Sequence, residues 1–386
     1  MENIIGEIHP LLDKEKQEKA KVYEWTGRKI ALWGIFLSAI FNLTFYFSGL
    51  SSGIANLNFF SSVIIVFIVY MFVYASLQEI IGIPLSYLSG FVIEKKYGFS
   101  NQTRGEWFKE HLKSFLVSLV LSLIIFGALI YIFQRFGNLW WLLASCFMVF
   151  FSVVISIIFP VWIMPIFHKY EPIEDEGLKD SLCGILEKGG LKIKGFFRED
   201  TSRKTTKENA MLAGLGKTKR VILTDNIINN MKADEIRTVL AHEVGHYKRA
   251  HMPKMIFTGL FFNLFSFYLL HLTFTALFPK FLSGVRANIT LLPMFLMFLS
   301  LMDLTFLKIL QNALVRLFEN QADDEALELT EDPEAFKKAM AGLANRNLSN
   351  AYPNFWVKLI YYSHPPIGER LERAEAFNLN SRIQVK

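Results

Sequence analysis

The chain is poor in cysteine. Only Cys146 and Cys183 occur in 386 residues, one inside an apolar stretch and one in a polar one, and neither has a Cys-x-x-Cys partner. That excludes a disulfide framework and a cysteine-rich metal cluster. Charge is scarce as well: Asp, Glu, Lys and Arg make up 20% of the chain against 52% hydrophobic residues. Such a balance excludes an ordinary soluble domain and a disordered one. Internal repeats and low-complexity linkers are absent, so neither a solenoid nor a string of tethered modules is expected. The first 28 residues are highly charged and hold no apolar core before a small-residue cleavage site, so no removable signal peptide is expected.

What is present is apolar sequence in blocks, at about 30–49, 59–92, 114–134, 139–167, 255–278 and 288–312. Each reaches the roughly 20 helical residues that cross a hydrocarbon core. The pattern predicts six transmembrane helices, with Pro84 and Pro160 as kink points in the two longest stretches. The net charge of +6 follows the same layout and needs no nucleic-acid partner. Lys14, Lys16, Lys19, Lys21, Arg28 and Lys29 precede the first stretch; Lys95, Lys96, Arg104, Lys109 and Lys113 join the second to the third. Alternate connections are almost bare, so the positive-inside rule places both termini and residues 168–254 in the cytoplasm. The expected organisation is an N-terminal cytoplasmic segment with four spans (1–167), a cytoplasmic catalytic segment (168–254), two further spans (255–312) and a C-terminal helical segment (313–386). Glu79, His271 and Asp303 fall inside predicted spans, where they either line a watery interior or fix packing through interhelical hydrogen bonds.

The fold class expected is mainly α, a membrane helix bundle with a small β-sheet in its cytoplasmic part. An amphipathic helix is predicted near 176–188, then strands around 191–199, 208–215 and 219–224. Gly214 and Gly216 make a turn between the last two. Asp234 and Glu235 open a helix that runs toward the fifth span, and residues 313–386 read as helical with breaks at Ser349–Pro353 and at His364–Pro366.

On that helix lies His242-Glu243-Val244-Gly245-His246. Two histidines four apart share one helix face, so both imidazoles can reach one metal ion, and the intervening glutamate can take a proton from a water held there. A catalytic zinc site needs three protein ligands and one open position. His246 lies nine residues before the fifth span, ~13 Å at the helical rise, and Glu319 seven residues after the sixth, ~10 Å. Antiparallel helices thus bring them to one depth. Asp323, one turn beyond Glu319, can accept a hydrogen bond from a ligating imidazole. Glu325 and Glu328 remain alternatives for the third ligand. His251, five residues past His246, points well away from the ligand face on a continuous helix, and is read as structural or at most as a partner behind a ligand. His9 and His111 sit in charged stretches without a supporting pattern.

Here the sequence resembles a known family. Leu240–Lys248 (LAHEVGHYK), Phe318–Asp323 (FENQAD) and Tyr362–Arg370 (YSHPPIGER) look like the three signatures of the type I CAAX prenyl proteases, integral-membrane zinc metalloendopeptidases. The likeness extends to Phe91–Phe99 (FVIEKKYGF), Met164–Tyr170 (MPIFHKY), Asn209–Gly214 (NAMLAG) and Lys219–Leu223 (KRVIL), and so covers most of the chain from about residue 60. The resemblance implies one zinc ion held by His242, His246 and Glu319. Glu243 would be the general base and Asp323 the partner of a ligand. His364 and Arg370 would stabilise the oxyanion or position substrate, and the strand beginning Asn209-Ala210-Met211 would pair with a peptide. It also implies that the helices enclose a chamber. The chain departs from the family in lacking a seventh span, in Lys204–Glu208 where a Ser/His-containing run is usual, and in His168 where Asn is common.

The function expected is a multi-pass membrane zinc endopeptidase, its site toward the cytoplasm, in a bacterial inner membrane or the endoplasmic reticulum. Its partners would be the lipid bilayer and a peptide or protein substrate, prenylated if the resemblance extends that far. A quality-control protease like the bacterial heat-shock membrane metalloproteases is an alternative within the same chemistry. A transporter or scaffold with a structural metal site is the alternative of another class; three ligands and a placed base argue against it, since closed structural zinc sites recruit four.

Overall fold

The computed structural model describes residues 8–214, 216–303 and 306–384. The six apolar stretches form helices: Lys14–Phe47, Val63–Tyr87, Arg104–Phe136, Trp140–Ile158, His251–Leu277, and a sixth divided between Leu292–Asp303 and Phe306–Thr330. The two pieces of the last, Leu292–Met302 and Leu307–Thr330, bend by 48°. Without water, only a helix satisfies every backbone group within one segment. The surface of these helices carries exposed Trp33, Phe72, Val120, Phe150 and Phe261, an apolar belt that a soluble protein would bury. Both prolines expected as kink points lie near wider, π-type turns: Pro84 precedes Leu88–Ile93 and Pro160 lies within Phe159–Ile163.

Polar bonds pin the bundle where hydrophobic attraction between helices is weak. Ser51 Oγ lies 2.7 Å from the Tyr70 hydroxyl and donates to Thr290 O at 2.7 Å, and the Tyr74 hydroxyl donates to Asn42 Oδ1 at 2.7 Å. Two of the intramembrane ionisable residues do the same. Glu79 pairs with His111, whose ring stacks on Trp107 at 4.6 Å. His271 Nδ1 accepts from the indole of the fully buried Trp140 at 3.0 Å. The side chain of Asp303 lies outside the described residues.

The polar part carries a four-stranded sheet ordered β1-β2-β4-β3: β1 Tyr170–Pro172, β2 Phe196–Glu199, β3 Ala210–Ala213 and β4 Arg220–Thr224. β2 runs parallel to β4; β1 and β3 are antiparallel edge strands. The strand expected over 191–199 begins only at Phe196, because the helix Glu176–Lys188 ends in a Schellman turn. Gly190 sits at φ 65, Leu191 N–H bonds back to Leu186 O and Gly190 N–H to Glu187 O, which uses up the residues between. Gly214 turns β3 into β4 at φ 90, and a Cβ there would meet Thr218 O at 2.5 Å. The run Lys204–Glu208 docks this part onto the membrane helices. Lys204 Nζ lies 2.5 Å from Glu110 Oε2, Lys207 Nζ 2.7 Å from Glu94 Oε2, and Thr206 N–H donates to Phe99 O.

Candidate metal centre

The motif residues lie on the helix Ala233–Lys248, whose buried face packs across Phe306–Thr330. Gly245 sets how closely these helices approach: a Cβ there would meet Ala322 O at 2.9 Å and Glu325 Cβ at 3.0 Å. The close crossing brings His242, His246 and Glu319 together, with one ligand atom from each within 4.8 Å of the others. His242 Nε2 and His246 Nε2 face each other at 3.2 Å. Glu319 Oε2 lies 3.1 Å from the first, and Oε1 3.4 Å from the second. Glu325 is engaged elsewhere, paired with Lys248 and accepting from Arg249 Nε at 2.8 Å; Glu328 lies 4.0 Å from Arg249 Nη2.

Behind His242, Asp323 Oδ1 lies 2.8 Å from Nδ1. The same carboxylate accepts from Arg370 Nε at 2.8 Å and Nη2 at 2.5 Å. His364 Nε2 lies 3.4 Å from Glu319 Oε1, and its side chain is 60% exposed.

His251 does not point away. The helix expected to continue through it ends at Lys248, Ala250 takes the left-handed φ of 53, and a new helix starts at His251. The turn folds the imidazole back, 1% exposed, with Nδ1 2.9 Å from His246 Nδ1 and Nε2 3.0 Å from Gln321 Oε1. Its ring stacks on Phe318 with centroids 4.7 Å apart. Sequence periodicity missed His251, Gln321 and the packing role of Gly245. The small residue inside the motif was the one available signal.

The electrostatics suit a cation. Burial opposes charge on His242, but the carboxylates of Asp323 and Glu319 outweigh it and hold its pKa up at about 9. Burial would raise the Asp323 carboxyl, yet Arg370 and His242 hold it down at about 2. Glu319 is likewise held well below the usual carboxylate range, with His242 and His246 overcoming its burial. Glu319 Oε2 is buried and, although 3.1 Å from His242 Nε2, meets no hydrogen-bond alignment. Two ring nitrogens facing each other beside an orphaned carboxylate oxygen form a donor set of the kind zinc takes.

Glu243 stands where two clefts meet. One, about 460 Å³, is bordered by Asn209, Ala210, His364 and Arg370. The other, about 930 Å³, is mostly apolar, with Leu212, Met252, Ile256, Phe257 and Leu260 in its wall. Asn209 is exposed just ahead of β3, and its backbone N–H and carbonyl bond Thr224 Oγ1 and N, both at 3.1 Å. Among the described residues, the outer edge of β3 has no strand partner in the sheet.

Residues 172–378 match peptidase family M48, and residues 4–169 match the CAAX prenyl protease N-terminal region, described as five membrane helices. Within that span the described residues form four long apolar helices. CAAX prenyl protease 1 of Saccharomyces cerevisiae is 32% identical over 320 residues, 77% of this chain and 69% of that protein. An uncharacterized metalloprotease of Bacillus subtilis, YhfN, is 28% identical over 310 residues, 79% and 72% respectively. The crystal structure of S. mikatae Ste24p shares the fold with a TM-score of 0.82 at 24% identity, covering 96% of this chain and 91% of that one.

Proposed function

The chain belongs to the CAAX prenyl protease family of M48 membrane metalloproteases, and on that premise we propose that it is a zinc endopeptidase acting at the cytoplasmic face on substrates that carry an apolar chain beside the scissile bond. His242, His246 and Glu319 would hold the zinc, which would supply Lewis acidity toward a water and the scissile carbonyl. Glu243, between the ligands and bordering both clefts, takes the proton of the attacking water and passes it to the leaving amine. His364, exposed in the smaller cleft, donates to the oxygen that becomes negative as the carbonyl turns tetrahedral. Asp323 keeps the His242 proton on Nδ1, which leaves Nε2 free for the ion. Arg370 spends Nε and Nη2 on Asp323, so it steadies that carboxylate before it touches substrate.

The peptide adds to the open edge of β3 from Asn209 through Met211, with main-chain bonds for affinity and side pockets for selectivity. The observation that carries the substrate class is the pair of unlike clefts sharing Glu243. A scissile bond over Glu243 puts a lipid or a large apolar side chain in the 930 Å³ cleft and more polar residues in the 460 Å³ one. The cytoplasmic orientation draws on the basic segments. The connection holding Lys95 to Lys113 and the N-terminal helix both bond the polar part, through Glu110–Lys204 and through Gln17 with Ser349, so the positive charge lies at the site's end of the molecule.

The test is hydrolysis, by purified protein in detergent, of two CAAX peptides that differ only in a farnesyl group, with Glu243→Gln as control. Preference for the farnesylated peptide that vanishes in the variant is the expected result. Equal, Glu243-dependent cutting of both points instead to a general protease of membrane proteins. Turnover unchanged in Glu243→Gln overturns the mechanism and reopens a non-catalytic role for the site.

A further inference from the structure

We infer that His251 and Gln321 are positioning residues for the metal centre, fixing the proton of His246 on Nδ1 so that Nε2 presents a lone pair to the ion. The inference rests on reading His246 as a ligand and extends it to two residues behind the site. A metal-binding imidazole nitrogen must be unprotonated, and the hydrogen bond made by the other nitrogen decides which one that is. His246 Nε2 faces His242 Nε2 at 3.2 Å and Glu319 Oε1 at 3.4 Å, so Nε2 is the nitrogen that must stay bare. Its proton then sits on Nδ1, which lies 2.9 Å from His251 Nδ1. Only one of two facing nitrogens can carry the hydrogen, so His251 accepts at Nδ1 and, when neutral, bears its own proton on Nε2. That nitrogen lies 3.0 Å from Gln321 Oε1, an atom that can only accept. The requirements close on themselves.

The opposite order fails. With the Gln321 amide turned, its NH₂ would donate to His251 Nε2, His251 Nδ1–H would donate to His246 Nδ1, and the His246 proton would move to Nε2, in the way of the ion. With Oε1 toward His251 the relay delivers the competent tautomer, and with the amide turned it does not. The surrounding fold is specific to this arrangement. Ala250 accepts a left-handed φ of 53, unfavourable for a residue with a Cβ, and that turn swings His251 into place. The helix that provides Glu319 also provides Phe318, which stacks on the His251 ring, and Gln321, which ends the relay. His242 is oriented by a charged carboxylate and His246 by a neutral pair, so the two imidazoles are held by different means from one helix.

Zinc retention by the full chain in detergent, measured against a competing chelator, tests the relay without reference to turnover. His251→Phe keeps a ring for Phe318 but offers no acceptor, whereas His251→Asn places Oδ1 where Nδ1 was. The expected result is zinc held about 10–100-fold less tightly in His251→Phe and near the wild-type level in His251→Asn. Equal retention by His251→Phe and wild type overturns the inference, as does an equal loss in both variants, which would mark a purely structural ring. Should His251→Phe not fold, Gln321→Leu against Gln321→Glu asks the same question: Leu should loosen zinc and Glu, still an acceptor, should not, and equal effects overturn the inference. His246→Ala separates the two readings. Zinc lost there but retained in His251→Phe rejects the relay and spares the ligand set, while a wild type that holds no zinc rejects both.

Discussion

Asp323 Oδ1 lies 2.8 Å from His242 Nδ1 while the same carboxylate takes two donors from Arg370, and its side chain is fully buried. The pair with Arg370 is thus a buried ion pair with a hydrogen-bonded imidazole as third member. Removing one partner of such a pair strands the other charge and costs about 3–5 kcal/mol. Asp323→Ala is expected to lower folding stability by that order, read as a drop in the thermal midpoint of the metal-free protein. Asp323→Asn, which keeps a hydrogen-bond acceptor, should fold better than Asp323→Ala yet still lose zinc affinity, because the neutral amide makes His242 a poorer donor to the ion.

The same pair predicts a pH dependence. Burial alone would raise the Asp323 carboxyl, but Arg370 and His242 outweigh it and bring it from 3.8 to about 2. A carboxyl whose folded pKa is depressed stabilises the fold fully above its unfolded pKa, because the unfolded chain binds the proton more readily. That stability is therefore present above about pH 4 and lost as pH falls through about 2. Thermal midpoints of the metal-free protein between pH 5 and 2 should fall more steeply in the wild type than in Asp323→Asn. Parallel curves would mean that Asp323 carries no such linkage.

Gly245 predicts a packing effect that reaches the metal. An added Cβ would press on Ala322 O and Glu325 Cβ at 2.9 and 3.0 Å, and one of these is backbone, so the helices must part. Overpacking of this kind costs about 1–3 kcal/mol. Gly245→Ala should lower the thermal midpoint and weaken zinc retention together, since Glu319 rides on the helix that is displaced. A variant that loses neither would show that the crossing has slack.

What was legible in the sequence follows from what is periodic. His242, His246, Glu319 and Asp323 were accessible as candidates because helix rise and the ends of the apolar stretches fix depth, while the family resemblance was needed to prefer Glu319 to Glu325 and Glu328. The six apolar stretches were accessible because hydrocarbon thickness fixes their length. His251 was not, because one left-handed residue at Ala250 changes the face of everything after it, and no pattern announces such a turn at an alanine. β1 was missed since Tyr170–Pro172 becomes a strand only by pairing with β2. The destination of Arg370's donors was equally hidden, because Asp323 meets it across 47 residues of chain.

The apolar cleft predicts selectivity that can be altered without touching the metal. Met252 lies in its wall, 44% exposed, six residues past His246 and bonded to none of the candidate ligands. A lysine there would hold its ammonium in water and draw water toward the cleft, exposing part of an apolar chain lodged beside it. Two methylenes returned to water cost about 1.6 kcal/mol at ~0.8 each, a little over tenfold in affinity. Met252→Lys should therefore raise KM for the farnesylated peptide about tenfold with little change in kcat, and leave kcat/KM for the unmodified peptide near the wild-type value. Equal losses on both peptides would mean that the cleft shapes the site generally rather than receiving the lipid. Unchanged kinetics on both would place the lipid elsewhere, and the 930 Å³ cleft would then lose its part in substrate choice.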